Sequence, residues 1–159
     1  MGQSMLSHHQ RLSFEDVQHI LSTTPNESSA TPTTTTTKPW IIINTLPLHR
    51  QQTLLAGTLA AEREEQMFHD IESTRRQQGF RILVYGENSL DYSVETKARQ
   101  LLQLGFSEVY IYPGGIFEWI LLQDIYGPGF FPTRGAPVQD LLSFKPASIL
   151  QKQSNLLRL

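Results

Sequence analysis

The chain has 159 residues, with 13 Lys and Arg against 15 Asp and Glu, a net charge of −2. That length sets one domain as the expectation, and the near-neutral charge gives no global attraction toward nucleic acid. No cysteine occurs, which removes disulfides, thiolate zinc sites and iron–sulfur clusters together.

Met1 to Gln10 has neither the basic flank nor the apolar core of a secretory signal. The longest apolar runs, such as Trp40 to Ile43, are far too short to span a bilayer. A cytoplasmic or nuclear protein that is not secreted is the expectation. Met1-Gly2-Gln3-Ser4-Met5-Leu6-Ser7 approaches the N-myristoylation signal at Gly2, but Leu6 stands where the small hydroxyl residue is needed. One acyl chain would in any case anchor only weakly, so no membrane attachment is expected.

Ser13 is a good N-cap for a short helix whose first turn carries Glu15 and Asp16, where the helix dipole favours acid. Phe14, Val17, Ile20 and Leu21 share one face and are expected to dock on the domain. The tract 22–38 is rich in Thr, Ser and Pro and has almost no large apolar residue. It cannot offset the entropy of ordering and reads as a disordered spacer. Asn26-Glu27-Ser28 formally fits a glycosylation acceptor, a match with little meaning without a signal peptide.

Trp40-Ile41-Ile42-Ile43-Asn44 reads as a strand buried on both faces, stopped by Leu46-Pro47. His49 to Ala61 reads as loop. A helix beginning at Glu62 turns Met67, Phe68 and Ile71 inward and runs to near Gly79, with Arg75-Arg76 complementing its dipole. Arg81 to Tyr85 is the next strand. The helix from about Tyr92 to Leu104 buries Val94, Ala98, Leu101 and Leu102 and ends at Gly105, a residue free to adopt the left-handed C′ conformation. Val109 to Tyr112 is a further strand, and Ile116 to Ile125 a helix apolar nearly all round. Gly127-Pro128-Gly129 stops it, leaving Phe130 to Thr133 in irregular chain. Strands alternating with helices argue an α/β domain with a largely parallel sheet.

One stretch is more specific. The strand Ile82-Leu83-Val84-Tyr85 stops at Gly86, a polar loop Glu87-Asn88-Ser89-Leu90-Asp91 feeds a helix, and a second strand meets Pro113-Gly114-Gly115 before Phe117-Glu118-Trp119. This order and spacing resemble the second half of a rhodanese-like domain, over about Trp40 to Thr133. The resemblance implies a three-layer fold, with helices flanking a mostly parallel sheet, over residues 39–146. Residues 1–21 would precede it as an N-terminal segment and 147–159 follow as a tail. Rhodanese-like enzymes and the related dual-specificity phosphatases use such a strand-to-helix loop as an anion cradle around a catalytic cysteine. Here the cysteine position is Gly86, and the positions that would supply the loop arginine fall on Asp91 or Tyr92. Glu87 and Asp91 place two negative charges where an oxyanion would sit. Asn44-Thr45-Leu46 and Leu55-Ala56-Gly57-Thr58 replace further supporting motifs. The segments Gly114 to Trp119, Leu121 to Gly127, Phe131-Pro132-Thr133 and Asp140 to Pro146 resemble a cysteine-less subgroup. The degenerate loop Gly86, Glu87, Asn88, Ser89, Leu90 and Asp91 is therefore expected to carry no sulfur or phosphoryl transfer.

Other candidates for chemistry are weaker. Ser89 and Ser93 could act as nucleophiles only with a general base, and no histidine lies near in sequence. His8, His9, His19, His49 and His69 show no metal-ligand spacing, so neither a metal nor a cofactor is expected. Glu118 and Asp124 lie about 240° apart on a helix and should sit at solvated or edge positions. Phe117, Tyr126, Phe130, Phe131 and Pro132 are either anchors for a protein partner or the cap of a small core. The sequence reads as a non-enzymatic, protein-binding or scaffold module. The competing reading is an enzyme of different chemistry, a weak hydrolase or transferase, built on the cradle at 86–93. Oligomeric state is not legible.

Overall fold

The computed structural model describes residues 9–23 and 37–151. Most of the Thr-rich spacer, the Gly2 acylation near-match, His8, Asn26 and the last part of the C-terminal tail lie outside the described residues. Four parallel strands form the central sheet: β1 (Gln10–Arg11), β5 (Val109–Tyr112), β4 (Arg81–Tyr85) and β2 (Trp40–Asn44), in that spatial order.

Alternation along the strands divides the core into two layers. Ile41, Ile43, Ile82, Val84, Val109 and Ile111 face α2 (Ala61–Ser73) and α3 (Ser93–Gln103), packing with Phe68, Ile71, Val94, Ala98 and Leu101. Ile42, Leu83, Tyr85 and Tyr112 face α1 (Phe14–Thr23) and α4 (Gly115–Tyr126), packing with Val17, Ile20, Ile116, Trp119 and Ile120. Burial on both faces explains why β2 and β4 are continuously apolar. The expected three-layer α/β architecture with a mostly parallel sheet is what the chain adopts.

Helix α1 begins as its sequence suggests. Ser13 Oγ accepts from Asp16 N–H at 3.3 Å, while Asp16 Oδ2 accepts from Ser13 N–H at 3.0 Å, a reciprocal cap with aspartate in the usual glutamate role. The helix runs through Ser22 to Thr23, whose hydroxyls bond back to His19 O.

Three local expectations need correction. Residues 49–61 are not all loop: a short helical turn over Leu48–Arg50 leads to β3 (Thr53–Leu55), which pairs antiparallel with β6 (Thr133–Gly135). This ribbon also takes Thr133 out of the irregular chain. Helix α2 stops at Ser73, not near Gly79. Thr74 Oγ1 donates to Asp70 O at 2.6 Å, and Arg75 takes a left-handed φ of 53°. Arg75 N–H then bonds Glu72 O at 3.1 Å and Arg76 N–H bonds Ile71 O at 3.0 Å, a Schellman closure built without glycine. Arg75 and Arg76 therefore lie past the helix rather than in its last turn. A β-carbon in that conformation is strained, so Arg75→Gly should raise stability by roughly 0.5 kcal/mol, read as a shift of the urea midpoint. Gly105, by contrast, closes α3 in the expected way, with φ 103° and Phe106 N–H bonded to Leu101 O at 3.2 Å.

Glu118 is the third correction. It is half-buried and accepts a 2.7 Å hydrogen bond from the Tyr112 hydroxyl, whereas Asp124 is exposed. Burial, with the Glu118 carboxylate as acceptor, pushes the Tyr112 hydroxyl up from its ordinary range.

Candidate functional site

The β4–α3 loop leaves the sheet at its C-terminal edge, where parallel α/β folds present their sites. Tyr85 ends β4 wholly buried. Its hydroxyl accepts from Leu55 N–H at 3.1 Å and sits 2.7 Å from Thr58 Oγ1, tying the strand end to the Leu55–Thr58 turn. Burial pushes this hydroxyl up as well.

Gly86 follows, buried, and the loop then folds onto its own carboxylate. Asp91 Oδ2 accepts from Glu87 N–H at 2.9 Å, and Asp91 Oδ1 accepts from Ser93 N–H at 3.1 Å and Ser93 Oγ–H at 2.5 Å. Ser93 Oγ is also 2.7 Å from Thr45 Oγ1 on the chain leaving β2. Amides that would face an external anion thus face an internal one, next to the N-terminus of α3. A β-carbon on Gly86 would press into Asp91 Oδ2, 2.6 Å from Val94 Cγ2 and 2.8 Å from Thr45 Oγ1. The space a nucleophile would need is filled.

Glu87 points elsewhere. Its Oε1 lies 2.8 Å from Arg50 Nε, an ion pair rather than an aligned hydrogen bond, and Arg50 also donates to Ser143 O at 2.6 Å and covers the Phe144 ring. The sequence reading expects both carboxylates to repel an anion. In the structure Glu87 has a counter-ion, and Asp91 excludes by occupancy. Asn88 is buried: its Oδ1 accepts from Leu90 N–H at 3.0 Å, and its Nδ2 donates to Phe144 O at 2.8 Å, fastening the C-terminal segment over the loop. Ser89 and Leu90 are exposed at the tip.

The opposite wall is the start of α4. Ile116 N–H donates to Gly86 O at 3.0 Å and Phe117 N–H to Glu87 O at 2.9 Å. Gly115 makes this approach feasible, with φ 63° and a virtual β-carbon only 2.5 Å from Gly86 O. The double glycine of the sequence motif is thus a backbone-to-backbone clamp.

Above the closed loop lies a groove of about 620 Å³, lined among others by Pro47, Glu87, Leu90, Asp91, Tyr92 and Lys145, with Ala147 and Ile149 also on its wall. Tyr92 is 76% exposed and Leu90 51%. Thr45, Arg50 and Lys145 were not among the site residues legible in sequence. Arg50 left one signal, as the sole Lys or Arg between Lys38 and Arg63.

The aromatic cluster divides. Phe131 is 3% exposed and stacks edge-on against Trp119 at 5.0 Å. Phe117 is half-buried against the same core, and Pro132 O accepts from Trp119 Nε1–H at 3.1 Å. Only Tyr126 and Phe130 stand out, at 61% and 69% exposure, beside a groove of about 410 Å³ shared with Phe14, Gln18 and Leu122. Among the described residues, no helix is long and apolar enough to cross a membrane.

No family model matches the chain, and no curated protein does. Solved structures do. The Alr3790 protein from Anabaena sp. superposes with a TM-score of 0.51 at 19% identity, over 80% of this chain and 94% of its own. Ygr203w of Saccharomyces cerevisiae, described as a homolog of single-domain rhodanese and of the Cdc25 phosphatase catalytic domain, gives a TM-score of 0.55 at 15% identity. That match covers 87% of this chain and 94% of the yeast one. At such identities the likeness shows the fold alone. Strand order, loop position and these neighbours agree: the chain has the rhodanese-like fold, built without a cysteine.

Proposed function

We propose that this chain is a non-catalytic binding or scaffold module, and that the face above the β4–α3 loop is its contact surface for a protein partner. The observation that carries the reading is the closed cradle: Asp91 occupies the loop amides while Gly86 leaves room for that carboxylate and for nothing more. Exposed apolar side chains ring the groove above it, and apolar surface beside a rigid, filled loop suits contact better than chemistry.

One observation favours an enzymatic alternative, the 2.5 Å bond between Ser93 Oγ and Asp91 Oδ1. That carboxylate also accepts two backbone amides, and among the described residues no histidine lines the groove to take the serine proton. The binding reading is therefore preferred.

Two measurements test it. The purified protein with thiosulfate and cyanide should show no turnover above blank; a rate abolished by Ser93→Ala would overturn the reading. In affinity capture, a partner held by the wild-type chain should be lost with Leu90→Asp plus Tyr92→Asp and kept with Phe130→Ala. The reverse pattern would move the contact surface to the α1–α4 groove. Phe131 is left intact because its replacement would open the core.

A further inference from the structure

The chain segment fastened over the β4–α3 loop is held as a peptide ligand is held. Among the described residues, the backbone of 137–147 makes main-chain hydrogen bonds only within itself, from Ser143 N–H to Asp140 O and from Lys145 N–H to Leu142 O, both at 3.1 Å. Two side chains from elsewhere reach that backbone, and they take consecutive carbonyls. Arg50 Nη2 donates to Ser143 O at 2.6 Å, and Asn88 Nδ2 donates to Phe144 O at 2.8 Å. The side chain between these carbonyls is the Phe144 ring, buried, with the Arg50 guanidinium 4.7 Å from its centroid.

Both donors are oriented by contacts of their own. Asn88 is buried with its Oδ1 bound to Leu90 N–H, and Arg50 is paired with Glu87. They keep their direction when the segment leaves, and a buried amide without an acceptor is costly. An empty socket therefore selects an occupant of the same chemistry, an aromatic ring flanked by two free main-chain carbonyls. One buried ring and no shared ladder also place the segment at the low end of local stability, where opening precedes that of the sheet.

We propose that Arg50 and Asn88 form a peptide-recognition socket, filled in cis by Ser143 and Phe144, which a protein partner enters with a phenylalanine of its own. This deepens the contact-surface reading and rests on it: Glu87, Asn88 and Lys145 also line the groove beside Leu90 and Tyr92. A second copy of this chain is a poor occupant. It brings the same contacts, and at about 10 µM it competes with a tethered segment whose effective concentration is on the order of millimolar. A foreign segment succeeds by adding contacts to Leu90 and Tyr92, which the internal one leaves exposed. Its apparent affinity is scaled by the fraction of molecules in which the socket is open.

The probe is the segment itself, an acetylated and amidated peptide of residues 140–147. Added to the isotope-labelled Phe144→Ala chain, it should shift the side-chain amide of Asn88 and the backbone amides of Glu87 and Leu90 to saturation. The wild-type chain should need about tenfold more peptide or beyond, because its socket is filled. The peptide carrying Phe144→Ala should shift neither chain. Where loss of the ring unfolds the domain, Phe144→Leu keeps an apolar side chain in place and supports the same comparison. Arg50→Ala supplies a reading without peptide: hydrogen exchange of the Asn88 side-chain amide should quicken about tenfold while β4 backbone amides stay slow. No saturable shift in a folded variant, equal shifts from the ring-less peptide, or exchange at Asn88 that changes only together with β4 would each overturn the proposal. A dimer of the wild-type chain at about 10 µM that Phe144→Leu dissolves would overturn the choice of occupant in favour of a second copy. The titration needs no natural partner, so its failure strikes the socket alone, while a failed capture experiment strikes the contact surface.

Discussion

Gly86→Ala is expected to destabilise the domain by about 1–3 kcal/mol, through overpacking rather than backbone strain. Gly86 carries no left-handed φ, yet its virtual β-carbon meets Asp91, Val94 and Thr45, three side chains held by different elements. Val94 is buried and cannot yield cheaply; Asp91 can yield only by surrendering the amides of Glu87 and Ser93. Asp91→Ala alone should cost about 1–3 kcal/mol by leaving those donors unmatched. Together the two changes should cost less than their sum, with a coupling of about 1 kcal/mol, since the second removes the group the first collides with. Urea denaturation of the four chains measures this directly, and strict additivity would show that Asp91 is not what fills the site. The same geometry bears on catalysis. Gly86→Cys with Asp91→Arg is expected to give at most trace sulfurtransferase activity. The thiol enters space still bounded by Val94 and Thr45, and the arginine inherits none of the carboxylate's hydrogen bonds. Robust turnover would show a cradle that remains preorganised.

Gly115→Ala should be the more damaging change, at about 3 kcal/mol or more. A left-handed φ of 63° adds strain to a contact of 2.5 Å with Gly86 O and 2.9 Å with Glu87 C. Both obstacles are backbone, so nothing can rotate aside. The bonds from Ile116 and Phe117 amides to the loop carbonyls would part, releasing α4 from the site. Gly114→Ala is the informative comparison. Its virtual β-carbon meets the Glu118 side chain, 2.6 Å from the carboxyl carbon, at an ordinary backbone geometry. The carboxylate can swing aside at the expense of its bond to Tyr112, but Glu118 Cβ, 2.9 Å away, moves only with the α4 backbone, so the loss should be about 1–2 kcal/mol, still below that at Gly115. Equal effects at the two glycines, by thermal or urea unfolding, would contradict the clamp described here.

The strands and helices that sequence shows best are those whose pattern is dictated by the core. β2 and β4 are buried on both sides and cannot be anything but apolar runs; α3 shows its face at helical spacing and its end at Gly105. β1 is illegible for the opposite reason: Gln10 and Arg11 are exposed, and only register against Tyr110 and Ile111 makes them a strand. β3 and β6, three residues each, are likewise created by pairing. At the site, sequence shows the missing sulfur and the missing arginine. It does not show that Asp91 turns inward while Glu87 turns to Arg50, because those directions depend on space freed by Gly86 and on a guanidinium distant along the chain. Phe130 and Phe131 make the same point in two adjacent residues, one exposed and one in the core.

The spacer interrupts a sheet, not a boundary. Leu12 N–H bonds Ile111 O at 2.8 Å, and Val17 and Ile20 close the same core layer as Trp119. A single backbone cut between residues 24 and 36 would therefore yield two pieces of one fold, the shorter completing the longer as a peptide completes a split protein.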